Sequence, residues 1–86
     1  MAKKKVAKIL LKYTAIFEPA EEGGYVVSVP SLPGCVTQGE TFEEAVEMIK
    51  DAISGYLAVQ KEMGEELPQE PEGIVVTLVR VPQPST

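Results

Sequence analysis

The chain contains no histidine, no tryptophan and no asparagine, and a single cysteine, Cys35. One cysteine allows no intrachain disulfide and no thiolate metal cage. Without histidine, the side chain most often used as general base and zinc ligand is missing. Asp51 is the one aspartate, and every other acid is a glutamate. The longest uncharged run carries Pro and Gly, so no segment reads as a membrane span. The N-terminus, MAKKK followed by a mixed run with Lys8 and Lys12, lacks the apolar stretch and cleavage site of a secretory signal. These absences predict a cytoplasmic protein with no metal site, no cofactor and no catalytic centre.

What is present suits one small domain. A folded chain of 9.3 kDa exposes about 5,000 Å² and hides about 63% of its unfolded surface, so the core is thin. A hydrophobic content of 44% with 24% charged residues excludes wholesale disorder. The net charge of −5 argues against nucleic-acid binding by the folded body and favours a basic partner.

Residues 8–17 alternate, with Ile9, Leu11, Tyr13, Ala15 and Phe17 on one face, and read as a first strand. Pro19 and the Gly23-Gly24 pair then break the pattern as a hairpin connection. Residues 25–29 form a second strand stopped by Pro30, Pro33-Gly34 makes a turn, and residues 35–38 form a third. Thr41-Phe42-Glu43-Glu44 is a capping box that opens a helix over 42–63, with Gly64 as its stop. Its apolar stripe is Phe42, Ala45, Val46, Ile49, Ala52, Ile53, Tyr56 and Leu57. Residues 65–73 are a polar crossover. Residues 74–81 read as a fourth strand, apolar on both faces apart from Thr77 and Arg80.

The order β-β-β-α-β predicts an α/β two-layer sandwich. A right-handed crossover lays the fourth strand beside the first and parallel to it. The sheet is then four-stranded and mixed, in the order 3-2-1-4, with one helix on one face. Residues 1–7 are a basic tip and 82–86 a tail, and no separate DNA-binding domain is expected.

An ordered set of short motifs now stands out: Gly23-Gly24-Tyr25-Val26-Val27, Val29-Pro30, Leu32-Pro33-Gly34-Cys35, Gln38-Gly39-Glu40-Thr41 and Glu43-Glu44-Ala45. With the run from Ala52 to Leu57 and Pro68, this set resembles the signature of the HicB family of antitoxins. The resemblance covers residues 10–68 and marks 8–81 as a HicB-like domain. It implies a partial RNase H-like fold with the same element order. It also implies a partner: a small basic HicA-like toxin that cleaves mRNA and is neutralised by occlusion. Many members carry a C-terminal helix-turn-helix or ribbon-helix-helix, whereas only PQPST follows the last predicted strand here. A stand-alone structural or regulatory module that binds another protein is the alternative. An RNA-binding use of Lys3, Lys4, Lys5 and Lys8 is a more distant one.

Two-metal nuclease chemistry needs carboxylates converging from strands and a facing helix. The predicted strand interiors hold no acid, so no catalytic or metal-ligating residue is assigned. Cys35 has no histidine, lysine or arginine near it in sequence to activate it and reads as a packing residue. For a toxin-binding surface the candidates are the acidic hairpin residues Glu18, Glu21 and Glu22, with Pro30, Leu32, Pro33 and Cys35 of the turn and third strand. For self-association the candidates are Met48, Gly55 and Val59, which widen the helix stripe, and Val75, Val79 and Val81 of the fourth strand. A homodimer or a dimer of dimers would cover them.

Overall fold

A computed structural model describes residues 10–85. The basic tip at 1–7, the start of the first predicted strand at 8–9, and Thr86 lie outside the described residues. The chain forms strands β1 (Ile16–Pro19), β2 (Tyr25–Ser28) and β3 (Val36–Gly39), then helix α1 (Phe42–Glu62). The sheet order is β1-β2-β3, and both pairings are antiparallel.

Local chemistry accounts for each boundary. The β1–β2 hairpin closes through Gly23 N–H to Ala20 O and Ala20 N–H to Gly24 O, both 3.0 Å. Between β2 and β3 the chain makes a compact loop held by Val29 N–H to Cys35 O at 3.1 Å and Cys35 N–H to Leu32 O at 2.9 Å. Thr41 is the N-cap, its hydroxyl accepting from Glu44 N–H at 3.0 Å. Glu44 reaches back to the N–H of Glu40 at 3.4 Å, one residue before the position a capping box normally serves. At the other end Gly64 takes φ +73° and donates to Lys61 O, as the sequence predicts for the stop.

The helix packs on one face of the sheet, over β2 and β3. Register places Phe17, Val27 and Thr37 across from one another on that face. Val27, Val29, Leu32, Cys35, Ala45 and Ile49 are the buried core. Burying a Val or Leu side chain fully, as at Val27 and Leu32, stabilises by about 1.5–3 kcal/mol each. Phe17, Tyr25 and Phe42 close one end, with the Phe17 and Phe42 rings 4.8 Å apart.

Two expectations need correction. β1 begins at Ile16, so residues 10–15 precede the ladder rather than forming most of it. More importantly, residues 74–81 form no strand. The sheet of the described residues is three-stranded and wholly antiparallel, not four-stranded and mixed, and the partial RNase H-like arrangement is not reached. The reason is pairing. A β-branched run has strand propensity, but a strand needs a ladder. The crossover is pinned to the body at Glu70, the chain turns at Gly73 (φ +79°), and the run beyond joins no ladder.

Candidate partner-binding surface

Glycines bring the acidic surface together. A Cβ on Gly39 would stand 2.5 Å from Ala45 N, so β3 runs directly against the first turn of α1. A Cβ on Gly24 would collide with Gly39 O, and Gly24 itself has φ +77°. The hairpin tip therefore sits against the corner where β3 enters the helix. The result is a shallow open basin walled by residues 20–26 and 38–40, with Glu44 and Met48 from the helix. Glu21, Glu22, Glu40 and Glu44 all line it and are exposed, and no lysine or arginine does. Four carboxylates with no counter-charge in the wall, beside the helix N-terminus, concentrate negative potential at one end of the molecule. The chemistry this allows is recognition of cationic groups.

The candidate residues are divided by the fold. Glu21 and Glu22 line the basin. Glu18 is opposite Val26 in the ladder, on the sheet face away from the helix, and does not line the basin. Pro30 and Pro33 are exposed on the β2–β3 loop, at the far end of the strands from the hairpin tip. Leu32 and Cys35 of that loop are turned into the core. Burial also pushes the Cys35 thiol above its ordinary pKa, which keeps it protonated and unreactive. Met48 belongs to the basin, whereas Gly55 and Val59 border an apolar hollow with Val36 and Tyr56 at the β3 edge. Val75, Val79 and Val81 are exposed on the C-terminal run.

Two features escape a reading of the sequence alone. Glu40 and Glu44 read as capping residues, and their convergence with Glu21 and Glu22 depends on the Gly24–Gly39 contact. The only signal for it is that each acidic cluster flanks a glycine, and that Gly39 pairs with Tyr25, the residue after Gly24. The second feature is a clasp. The Glu70 carboxylate accepts from Thr14 N–H at 3.1 Å, from the Thr14 hydroxyl, and from Ser31 Oγ at 2.8 Å. The Tyr13 hydroxyl donates to Pro68 O beside it. Hydrogen bonds from the Thr14 hydroxyl, the Thr14 amide and Ser31 hold the Glu70 pKa below its ordinary value. Among the described residues no three Asp, Glu, Cys or His side chains are grouped so as to hold a metal ion. No described helix is long and apolar enough to cross a membrane.

Comparison with known proteins places this small α/β body, with its acidic basin, among relatives. Residues 13–82 match the model for the HicB-like antitoxins of bacterial toxin-antitoxin systems. The chain is 48% identical over 60 residues to UPF0150 protein Ta0767 of Thermoplasma acidophilum, covering 70% of this chain and 87% of that one. It is 45% identical over 58 residues to antitoxin HicB 1 of Photorhabdus laumondii, covering 67% of this chain and 37% of that one. It is 49% identical over 43 residues to antitoxin HicB of Escherichia coli K12, covering 50% of this chain and 31% of that one. The chain belongs to the HicB-like antitoxin family. It spans about a third of the length of these two relatives named as antitoxins.

Proposed function

We propose that the protein is a non-enzymatic antitoxin that neutralises a small, basic, mRNA-cleaving toxin of the HicA kind by covering its active site in the cytoplasm. The observation that carries this reading is the basin with Glu21, Glu22, Glu40 and Glu44 in its wall and no basic residue among them. An RNA-cleaving protein must attract phosphates, so its working surface is cationic. An acidic surface of this kind competes for that surface and steers the encounter from a distance. The exposed prolines of the β2–β3 loop lie at the other end of the strands and are the secondary contact of this reading. Self-association as a homodimer or dimer of dimers belongs to it as well.

The test uses a purified small basic RNA-cleaving protein of the HicA kind. Its RNA cleavage is measured with and without the full chain, and association is followed at low and high salt. The wild-type chain should suppress cleavage. A Glu21→Lys, Glu22→Lys variant should associate about 10-fold more slowly or worse at low salt. Undiminished cleavage in excess wild-type chain would overturn the proposal. Binding indifferent to both salt and charge reversal would remove the basin from it.

A further inference from the structure

Residues 74–81 present Ile74, Val75, Val76, Leu78, Val79 and Val81 to solvent, with Leu78 97% exposed.

A receptor for such an arm is present on the same molecule. β1 is an edge strand, and its outer N–H and C=O groups have no ladder partner among the described residues. α1 packs over β3 and β2 and leaves β1 little covered. Tyr13, Phe17, Val46, Ile53 and Leu57 line the apolar groove so formed. The core-facing helix stripe is only half-buried at Val46, Ile53 and Leu57. One more strand beside β1 would cover all three.

We infer that this groove takes the 74–81 arm of a second copy, reciprocally, so that two chains complete each other's sheet by exchanging their C-terminal strands. The inference rests on the self-association included in the proposed function. Three observations select a second copy. First, residues 10–13 line both the groove and the depression where the arm begins at residues 69–74, so they form a wall between the arm's root and its own groove. Second, the Glu70 clasp fixes that root only four residues before Ile74. Third, the arm carries Arg80 and no acid, so it offers a basic protein no complementary charge. Lys12 and Lys50 at the groove rim can extend to water over their aliphatic stems. Mutual exchange about a two-fold axis closes on itself and leaves no open arm.

The test is made on the full chain. Sedimentation at low micromolar concentration gives the oligomeric state. Amide exchange reports on residues 75–81, and intermolecular NOEs are recorded on a mixture of isotope-labelled and unlabelled chains. The expected result is a dimer with protected arm amides and arm-to-groove NOEs between different chains. Leu78→Glu with Val79→Glu, which places a charge on each face of the arm, should weaken dimerisation by about 100-fold or more. Helical content should be unchanged in that variant, since the arm makes no core contact. A monomer would overturn both the exchange and the self-association. A dimer with freely exchanging arm amides, or one unaffected by the two glutamates, would overturn the exchange alone. So would NOEs confined within one chain, or an arm protected only when the toxin is added.

Discussion

Replacing Gly39 with alanine tests whether the hairpin, the β3 corner and the helix start are one rigid unit. The added Cβ would lie 2.5 Å from Ala45 N, 2.7 Å from Ala45 Cα and 2.9 Å from Glu44 C. All three atoms are helix backbone, so no side chain can swing aside. Carbon contacts settle near 3.5–4.0 Å, and the first turn of α1 must therefore retreat by about 1 Å. Overpacking of this kind costs about 1–3 kcal/mol. Alanine offsets about 0.4–1 kcal/mol of that by restricting the unfolded chain. Because Ala45 is fully buried, the retreat disturbs the core, and the net loss should be about 1–2 kcal/mol. With a urea slope of about 1 kcal/mol per molar for a domain this small, the midpoint should fall by about 1–2 M. Measurements must hold protein concentration fixed, since assembly shifts apparent stability. The same retreat separates Glu44 from the hairpin acids, so toxin association should slow beyond what the lost stability explains. A midpoint within error of wild type would refute the close approach and, with it, the geometry assigned to the basin.

Thr41→Ala removes the N-cap acceptor of Glu44 N–H and should cost about 1 kcal/mol in the same denaturation assay. Gly55→Ala meets no atom within 4 Å and sits in the helix interior, so it should stabilise by about 0.5–1 kcal/mol. Glu70 has a folded-state pKa below its ordinary value, so the clasp contributes fully above that ordinary value and is lost as pH falls through the depressed one. The protection of the Thr14 amide relative to its intrinsic exchange rate should fall over that acid range, and Glu70→Gln should abolish that fall. Cys35, buried with a raised thiol pKa, should react with thiol reagents far more slowly than in urea-unfolded chain; equal rates would place it at the surface.

What the sequence made legible was local. The capping box, the Gly64 stop, the hairpin glycines and the Pro33-Gly34 turn act within a few residues, and their chemistry is written in order along the chain. The alternation that put Phe17 and Val27 toward the helix held because one face of the sheet is buried and the register is thereby set. The acidic basin was half legible. Glu21 and Glu22 announced themselves as a charged tip, while Glu40 and Glu44 were absorbed by their role in starting the helix. The Glu70 clasp was not legible, because its acceptor and its donors Thr14 and Ser31 are 56 and 39 residues apart. No periodicity links them. The fourth strand shows the limit most clearly. The apolar run from Ile74 to Val81 was read as a strand, but propensity says only that a segment will pair, not with which edge.

The basin and the groove share no residue. The first is built on the hairpin tip and the start of α1. The second is built on the lead into β1 and on the α1 flank from Val46 to Leu57. Strand exchange at the groove would therefore leave both basins of a dimer open, each able to engage a toxin, and would favour a complex of two chains with two toxins. It would also give the basin a firmer base. The half-buried flank of α1 would gain a strand beneath it, and the helix whose first turn supplies Glu44 would be held from both sides. In that arrangement the arm variants that break the dimer should weaken toxin binding without removing a single basin contact. The acid variants should weaken toxin binding and leave the dimer whole.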